Sequence, residues 1–504
     1  MIMRIIIIFL IAFLPVALFS QGNTKKAREP VNADTVVMLT SIIVSNPNDM
    51  AAHQKYIEYV GIDSPELLTQ YDEWMAKFPK SAAVTYALGE ALYNAEYPSA
   101  KRYLLRAVEL DPKLAKAYLQ LSIDAERWGD FEVAREYMKK ASEADPDSPD
   151  YAFYYASSFS DVNPELYRKL SLEVIGKFPE SERAAQALYW LALRTEDTEE
   201  RIRLYRRSLN EFPPDKFRWS SSSMPSLFDI YLEKSPAQAV EFAQQMKALS
   251  KSESDVKSWD DRERLAQAVL TVKTLTEEKR TKEAEDVATA IVIPRYSSAT
   301  EFITLLKAEA NDVAGNTEGA YESLLKYFSS QPTDDTYSVL LAYGMKLGKT
   351  KANVNAEVHK TRYSAAVPAT PFSRKNYLTN DSLSLMDLKG KVVLLTYWFP
   401  GCGPCRGEFP NFESVIRKFS RDEVAYVGIN IAPEQDEYVL PFVKSSGYSF
   451  IPLKDEPDKR GNLAARGAPT NYLLDREGNI VFKNFRTDDR NERTLELMIQ
   501  ALLD

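Results

Sequence analysis

Apolar residues recur every three to four positions through the first two-thirds of this chain, with polar residues between them. The stretches that show this spacing without a regular repeat are residues 264–292, 299–314, 318–328 and 335–347. Such spacing is typical of amphipathic helices that bury one face. Two other stretches, 219–223 and 250–262, are polar and are predicted to be loops. The pattern therefore predicts a helical region that continues to about residue 363.

Prolines recur at a nearly constant interval in the earlier part of this region. They are Pro47, Pro79, Pro112, Pro146, Pro179 and Pro213, separated by 32 to 34 residues. Within residues 81–146, small residues such as Ala125 and Ala141 recur where paired helices would approach closely. This period and pattern resemble the tetratricopeptide repeat family, whose helix pairs stack into a solenoid. We expect such repeats over residues 30–213 and degenerate helical repeats over 214–363.

The pattern changes after residues 364–371, a segment of small residues and prolines that is predicted to be a linker. The predicted strands beyond it are 392–398, 424–431, 471–475 and 479–485, and the predicted helices are 404–419, 437–446 and 493–503. The turn Arg476-Glu477-Gly478 between the last two strands is a hairpin signal. Residues 364–504 are therefore predicted to form an α/β domain, after the all-α solenoid.

The composition is that of an ordinary globular protein with an acidic balance. Of 504 residues, 27% are charged and 45% are hydrophobic, and the formal net charge is -9. A chain of this length is expected to divide into more than one domain. Proteins that bind nucleic acid need a basic surface to neutralise phosphates, so nucleic acid is not an expected partner.

The first 20 residues have the pattern of an export signal. Met1 to Arg4 is a short basic segment, residues 5–19 are apolar, and Ser20 is a small residue before the expected cleavage point. The apolar run is shorter than the roughly 20 residues that a membrane helix needs, and a retained membrane anchor is the alternative. Either interpretation places the rest of the chain outside the cytoplasm, in the periplasm or the cell envelope.

The chain contains only two cysteines, Cys402 and Cys405, in a Cys-x-x-Cys arrangement. An exported protein that relied on disulfides for stability would be expected to have more. Two thiols at this spacing can close a disulfide across the first turn of a helix, where the helix N-terminus favours the thiolate of the first. The pair is therefore predicted to be a redox centre. In it, Cys402 attacks a substrate disulfide and Cys405 resolves the mixed disulfide.

Other uses of a Cys-x-x-Cys pair need partners that this sequence does not place nearby. A structural zinc needs about four ligands, and the two histidines, His53 and His359, lie outside the α/β region. A c-type haem needs histidine directly after the second cysteine, where Arg406 stands. A peroxiredoxin would need threonine in the place of Phe399. We therefore expect no metal and no cofactor apart from the redox-active disulfide, with a passive disulfide as the alternative.

The residues around the cysteines resemble the active site of the thioredoxin fold. The run from Gly390 to Cys405 has the strand and the Cys-Gly-Pro-Cys pattern of thioredoxins, and the Arg-Gly-Glu-Phe-Pro that follows resembles the exported TlpA/ResA-like branch. Downstream, Gly-Ala-Pro-Thr at residues 467–470 matches the segment that carries the family's cis-proline. The 64 residues from Cys405 to this proline fit the central insertion of that branch. The resemblance covers about residues 370–504 and implies thiol-disulfide exchange.

The resemblance implies roles for residues besides the cysteines. Glu408 is expected to accept a proton near them, with an exposed surface carboxylate as the alternative. The predicted substrate-binding residues are Trp398, Gly403, Pro404, Ala468 and Pro469, of which Trp398 is expected to pack beneath the site. Pro469 is expected to be cis, and the backbone of Ala468 to pair with a bound polypeptide strand.

Two positions depart from plain thioredoxin. Thr396 stands where thioredoxin has a buried aspartate, so proton transfer to the resolving thiol would need another group, such as Glu408. Gly401 stands where a tryptophan is common, which predicts a barer substrate surface. The Gly-Pro dipeptide between the cysteines is the one that reducing thioredoxins carry, and it favours a reductase.

These patterns predict an exported thiol-disulfide oxidoreductase that reduces the disulfides of protein clients. The helical repeats would hold a client or partner near the dithiol, at high effective concentration. By resemblance, a membrane thiol relay would donate the electrons. The alternative function is a repeat scaffold whose thioredoxin domain serves mainly as a binding module.

Overall fold

The computed structural model describes residues 33–294 and 297–503. The predicted export signal, residues 1–20, lies outside the described residues. Within the described part, no helix is both long enough and apolar enough to cross a bilayer.

Nineteen α-helices follow one another in the described part of residues 33–363, and we call them the helical array. They are α1 (Ala33–Ser45), α2 (Met50–Val60), α3 (Pro65–Lys77), α4 (Ala82–Asn94), α5 (Ala100–Leu110), α6 (Ala115–Arg127), α7 (Phe131–Ala144), α8 (Pro149–Ser157), α9 (Pro164–Lys177), α10 (Glu182–Leu193), α11 (Thr198–Glu211), α12 (Arg218–Lys234), α13 (Pro236–Leu249), α14 (Glu253–Glu277), α15 (Thr281–Ala290), α16 (Thr300–Val313), α17 (Thr317–Ser330), α18 (Asp334–Lys346) and α19 (Lys351–Tyr363). The all-α character predicted for this region is confirmed.

Short polar side chains mark where many of these helices begin. Asp130 accepts a hydrogen bond from the N–H of Val133 at 3.3 Å before α7, and Ser181 accepts one from Ala184 at 3.1 Å before α10. Each satisfies a backbone donor that the first helical turn leaves unpaired. The small residues at the predicted sites of close approach are all buried: Ala100, Ala107, Ala125, Ala134 and Ala141. Assignment to the tetratricopeptide family stays a prediction.

The two stretches predicted to be polar loops are largely helical, so that prediction is wrong. Residues 219–223 lie inside α12, where Ser220 and Ser223 are fully buried. The hydroxyl of Ser208 donates to the Ser220 hydroxyl at 3.1 Å, and the Ser223 hydroxyl donates to the Ser220 carbonyl at 2.7 Å. In the second stretch, Ser252 caps α14 by accepting a hydrogen bond from Asp255 at 3.0 Å, so the loop ends there. Paired serines fill a buried face that hydropathy alone assigns to solvent.

The remaining residues form the α/β domain, residues 367–503. Its strands are β1 (Val367–Pro368), β2 (Ser373–Lys375), β3 (Ser382–Ser384), β4 (Val392–Trp398), β5 (Val424–Asn430), β6 (Ile451–Lys454), β7 (Thr470–Leu474) and β8 (Asn479–Lys483), and its helices are α20 (Gly403–Ile416), α21 (Asp436–Ser446) and α22 (Glu492–Leu503). Six strands form one mixed sheet in the order β1-β8-β7-β4-β5-β6, and β2 and β3 form a separate hairpin. In the mixed sheet, β4, β5 and β6 are parallel, whereas β7 and β8 run antiparallel to their neighbours.

Strand β4 is the centre of this domain, and all seven of its residues are buried. Its side chains alternate between two apolar cores, as successive residues of a strand must. Leu394 and Trp398 belong to the core that α20, α21 and α22 cover, whereas Leu395 and Tyr397 belong to the core on the opposite face. A strand buried on both faces reads as a continuous apolar run, which is why its bounds could be predicted from sequence.

The segment predicted to be a linker is partly ordered into the sheet. Helix α19 ends at Tyr363, and the strand Val367–Pro368 pairs antiparallel with β8. Val367 lies opposite Ile480 at the edge of the sheet, where the missing N–H of Pro368 is tolerated. The array and the α/β domain are therefore separated by a few residues only.

The turn between α6 and α7 lies against α21 of the α/β domain. The ring of Trp128 contacts that of Tyr438 with centroids 5.2 Å apart, and Phe131 contacts Phe442 at 6.1 Å. Gly129 between them has a φ of 74°, and a Cβ built on it would lie 2.6 Å from the Phe442 carbonyl oxygen. The two backbones approach so closely that only glycine fits at this position.

A second contact joins α22 to the start of α18. The Arg493 guanidinium bonds both carboxylate oxygens of Asp334, from Nε at 2.8 Å and from Nη2 at 3.0 Å. Since both side chains are about half exposed, water screens this pair and its contribution to stability is small. The turn at Gly129 is therefore the more informative place to test the docking of the array.

We expect Gly129→Ala to weaken docking of the array, and Gly348→Ala serves as its matched control. Both glycines have a positive φ, so either substitution should cost about 1 kcal/mol of backbone strain. A Cβ at Gly348 meets no described atom within 4 Å, whereas one at Gly129 overlaps the Phe442 backbone. Urea unfolding should show about 1–3 kcal/mol of additional loss for Gly129→Ala alone. Equal losses in the two variants would contradict the close packing described here.

Candidate redox site

Cys402 occupies the position directly before the first turn of α20, at the end of the loop that leaves β4. Its Sγ accepts a hydrogen bond from the backbone N–H of Cys405 at 3.2 Å, so the sulfur serves as the cap of the helix. Cys402 and Cys405 are joined by a disulfide across this turn. Pro404 lies in the first turn, where its missing N–H leaves no bond unmade. The disulfide predicted across the first helical turn is therefore present, but Cys402 is only 2% exposed, so the expectation of an exposed sulfur is wrong.

The surface beside the dithiol is formed by four of the predicted substrate-binding residues. Pro404 is exposed, and Gly403, Ala468 and Pro469 are partly exposed. The peptide bond from Ala468 to Pro469 is cis, as the sequence resemblance predicts. A role of these four residues in binding substrate stays a prediction.

Trp398 is the exception among the predicted substrate-binding residues. Its side chain is fully buried, and its ring contacts those of Phe442 at 5.0 Å and Phe450 at 4.8 Å. Trp398 therefore forms the floor beneath the site, as its expected packing role requires, and it has no surface for direct contact with substrate. The aromatic cluster around it holds the end of β4 in place.

Glu408 is buried one turn beyond Cys405 on α20, with only 3% of its surface exposed. The alternative of an exposed surface carboxylate is therefore wrong. Its Oε1 accepts hydrogen bonds from Arg486 Nε at 2.6 Å and from the backbone N–H of Thr487 at 2.9 Å. Its Oε2 accepts one from the Asn471 amide at 3.1 Å. A buried carboxylate with these donors is held in one orientation.

Thr396 takes part in the same buried network. Its hydroxyl donates to Asn471 Oδ1 at 2.7 Å, and the Asn471 amide donates in turn to Glu408. A chain of hydrogen bonds thus runs from the middle of β4 through β7 to α20. Thr396 supplies no carboxylate to this network, and its carboxylate is that of Glu408 on α20. Asn471 was not singled out from the sequence, although a polar residue inside a predicted apolar strand was a usable signal.

Gly401 is covered by a side chain that sequence analysis did not identify. Its N–H donates to Gln435 Oε1 at 2.7 Å, and Gln435 is 2% exposed. A Cβ on Gly401 would lie 3.0 Å from the Gln435 amide nitrogen, so the Gln435 side chain fills the space where a side chain at position 401 would lie. The surface at Gly401 is therefore not as bare as predicted.

The helical array reaches this end of the α/β domain through charged side chains. Arg406, directly after Cys405, contacts Glu126 of the array with 2.7 Å between Nη1 and Oε2. The Gln435 amide donates to Glu96 Oε2 at 3.0 Å. No signal in the sequence pairs these residues, because they are hundreds of positions apart.

Both histidines lie in the array, where His53 contacts Tyr71 and His359 stacks on Tyr363.

Asp124 forms a further buried contact between the two regions. It accepts a hydrogen bond from the Tyr438 hydroxyl at 3.0 Å and is 1% exposed. Burial raises the pKa of the Asp124 carboxyl above its ordinary value, and the hydrogen bond from Tyr438 opposes that shift without cancelling it. The contact is therefore sensitive to ionisation of this carboxyl.

Comparison with known proteins finds relatives of the α/β domain. Residues 366–483 match the family model described as the AhpC/TSA family. The chain is 34% identical over 133 residues to the thioredoxin-like protein YneN of Bacillus subtilis. This match covers 26% of this chain and 77% of YneN. It is 32% identical over 126 residues to the thiol-disulfide oxidoreductase ResA of Halalkalibacterium halodurans. This match covers 25% of this chain and 70% of that ResA.

Two further comparisons have narrower coverage or a low score. The ResA of Bacillus subtilis is 33% identical over 111 residues, so the chain spans 62% of that relative's length. A crystal structure titled as the thiol:disulfide interchange protein DsbE of Chlorobium tepidum is 25% identical, with a TM-score of 0.25. It covers 28% of this chain and 97% of that one.

We expect Asn471→Ala to destabilise the protein by about 1–3 kcal/mol, because it leaves two buried groups, Thr396 and Glu408, without their shared partner. The matched control is Asn411→Ala, since Asn411 is only partly buried on α20 and its amide donates to the Gly407 carbonyl at 3.0 Å. The control should change the free energy of unfolding by less than about 0.5 kcal/mol. Chemical unfolding measures both, and equal small effects would show that the network contributes little.

We expect Asp124→Asn to remove a pH-dependent component of stability. A carboxyl whose pKa is raised on folding contributes stability that is fully present below its ordinary value of 3.8 and is lost as pH rises through the raised value. The asparagine keeps an acceptor for Tyr438 but cannot ionise. The unfolding free energy of the native chain, minus that of Asp124→Asn, should therefore fall as pH rises through that window. Parallel pH curves for the two proteins would contradict this account.

Proposed function

The chain belongs to the thioredoxin-like thiol-disulfide oxidoreductases that include YneN and ResA, and we propose that it is an exported reductase of protein disulfides. The observation that carries the proposal is the Cys402–Cys405 pair closed across the first turn of α20, with a backbone N–H directed at the first sulfur. Such a pair alternates between a dithiol and a disulfide.

In the proposed reaction, the Cys402 thiolate attacks one sulfur of a substrate disulfide. A mixed disulfide forms, and the other substrate sulfur leaves as a thiolate. Cys405 then loses its proton and attacks the Cys402 sulfur, which releases the second substrate thiolate and closes the disulfide. Two electrons pass from the dithiol to the substrate. The N–H of Cys405 and the end of the helix stabilise the attacking thiolate.

Glu408 is the proposed acceptor for the proton of Cys405. It lies one turn after Cys405 on the same helix, and residues at this spacing are neighbours on a helix surface. Its bonds to Arg486 and Asn471 hold the carboxylate in the interior, on the side of the sheet where Thr396 supplies no carboxylate of its own. A general base must be held within reach of the group it deprotonates.

The proposed substrate is an extended polypeptide that contains a disulfide. Gly403, Pro404, Ala468 and Pro469 form the accessible surface beside the cysteines. Gly403 and Ala468 carry little or no side chain, so little bulk separates the backbone of a client from Cys402, which is 2% exposed. Such a surface accepts many sequences, because it selects through backbone contacts.

The helical array is proposed to hold the client or a partner. The contact between Glu126 and Arg406 brings the array within hydrogen-bonding distance of the residue that follows Cys405. A client bound on neighbouring helices would meet the dithiol at a high effective concentration. This tethering would supply selectivity that the small residues around the cysteines do not.

The direction and the location of the reaction complete the proposal. The Gly-Pro dipeptide between the cysteines favours reduction, and the pattern of residues 1–20 favours export to the periplasm or cell envelope. Reduction outside the cytoplasm needs a supply of electrons, for which a membrane thiol relay is the proposed donor. The disulfide itself is the only redox group that the reaction needs.

We expect the full chain to accelerate the reduction of insulin by dithiothreitol, measured as turbidity from the released chains. Cys402→Ser should be no faster than dithiothreitol alone, because it removes the attacking sulfur. The matched variant Cys405→Ser keeps that sulfur but cannot resolve the intermediate. Mixed with insulin in the absence of dithiothreitol, the reduced variant should therefore accumulate mixed disulfides that appear on non-reducing gels and disappear when reductant is added.

The same experiment separates the enzyme from the scaffold. A native chain no faster than Cys402→Ser would contradict the reductase and favour a binding module. Recovery of mixed disulfides from Cys405→Ser expressed in the parent cell would identify the clients. If that variant trapped none while the native chain still bound partners, the scaffold function would be supported.

A further inference from the structure

Two glutamates of the helical array contact the segment that carries the dithiol. Glu96 lies in the turn between α4 and α5, and Glu126 lies in the last turn of α6. Glu96 bonds the amide of Gln435, whose carbonyl oxygen accepts the N–H of Gly401. Glu126 pairs with Arg406 at 2.7 Å. The array therefore acts on the residue before Cys402 and on the residue after Cys405.

The backbone at Glu96 is unusual for a residue with a side chain. Its φ is 63°, in the left-handed region that favours glycine. At the matching turn position after α6, α16 and α18 the residue is Gly129, Gly315 or Gly348, and after α14 it is Lys279. A glutamate in this conformation is unfavourable unless its side chain makes compensating contacts.

The Glu96 carboxylate makes such contacts with both of its oxygens. Oε1 accepts a bond from Arg127 Nη2 at 3.1 Å, and Oε2 accepts the bond from Gln435. Arg127 is 4% exposed and lies over the Tyr93 ring at 4.9 Å. A buried guanidinium needs a compensating anion, which Glu96 supplies. The turn that presents Glu96 thus joins a buried cation of the array to the loop that leads into Cys402.

We propose that Glu96 and Glu126 are positioning residues of the redox site, through which the array holds the segment around the dithiol and keeps it reducing. This inference rests on the proposed thiol-disulfide exchange. Gln435 transmits the contact from Glu96 to the Gly401 N–H, and Arg406 receives the contact from Glu126. An otherwise separate helical region is thereby part of the redox centre.

The charges of these pairs predict how loss of either glutamate would change the reducing strength of the dithiol. Each glutamate is paired with an arginine, Glu96 with Arg127 and Glu126 with Arg406. Loss of either carboxylate removes an anion that offsets an arginine, Arg406 directly after Cys405 or Arg127 behind Glu96, and so makes the surroundings of the dithiol more positive. A nearby cation favours a thiolate over a thiol, so it stabilises the reduced form and weakens the dithiol as a reductant.

Other charged and titratable groups face the same end of the domain. They are Glu408 with Arg486 from the α/β domain, Asp124 from the array, and Tyr438 and Tyr448 from α21 and the loop after it. The proposed variants leave all of them unchanged. A change in the dithiol therefore reports on the two glutamates and the residues that they contact.

The test equilibrates the full chain with glutathione and measures the fraction of disulfide by thiol labelling. In this reaction the dithiol and one oxidised glutathione give the disulfide and two reduced glutathiones. Glu96→Gln and Glu126→Gln should each shift the equilibrium constant toward the dithiol by about threefold to tenfold. Gln435→Ala should also change it, and its combination with Glu96→Gln should be non-additive because both act through one contact.

The matched control is Glu109→Gln, a glutamate of α5 that pairs with Arg106 on the exposed side of the array. It should leave the equilibrium unchanged. The pH midpoint for alkylation of Cys402, measured in a Cys405→Ser background, should fall in Glu96→Gln and Glu126→Gln but stay constant in the control. A structural role alone would lower thermal stability without changing the glutathione equilibrium constant or the alkylation midpoint.

Folded Glu96→Gln and Glu126→Gln proteins with the native glutathione equilibrium and alkylation midpoint would overturn the proposal. This outcome differs from failure of the proposed function, because neither measurement needs a client or a direction of electron flow. A chain that reduced no insulin could still show the predicted shifts, and a chain that reduced insulin could lack them.

Discussion

The chemistry of this protein depends on one interaction, the hydrogen bond from the Cys405 backbone N–H to the Cys402 sulfur. The first N–H groups of a helix have no acceptor within the helix, so a sulfur in the cap position meets both a donor and the positive end of the helix dipole. Strand β4 provides this position. It is buried along its length and ends at Trp398, whose ring is packed among aromatic side chains, so the chain turns into α20 at a fixed place. A rigid strand-to-helix junction keeps two sulfurs at the separation that a disulfide needs.

In the interior of the α/β domain, three buried polar side chains form one hydrogen-bonded group. Thr396, Asn471 and Glu408 are joined by hydrogen bonds, and Arg486 compensates the charge of the carboxylate. A buried ion needs such partners, because an unpaired one is strongly destabilising. The arrangement places the buried carboxylate on α20, the helix that carries the cysteines.

The helical array packs directly against the α/β domain. Gly129 lets the turn after α6 touch the backbone of α21, and this contact brings Glu126 close to Arg406. The contact from Glu96 to Gln435 spans 339 positions of sequence. Periodicity reports only which face of a helix is buried, and it does not identify what covers that face. The pairing of these residues therefore had no signal in the sequence, whereas the bounds of β4 and α20 had a strong one.

What the sequence determined by itself is local. The apolar run of β4 and the Cys-Gly-Pro-Cys turn specify a strand and a helix start, because each depends on neighbouring residues, whereas the cis bond before Pro469 was expected from the family resemblance. The tertiary structure alone decided that Glu408 is buried and that serines of α12 face inward. It also decided that Gln435 fills the space beside Gly401. These outcomes depend on which side chains meet across the fold. A buried polar side chain is usually stable only where the fold supplies it with a hydrogen-bond partner.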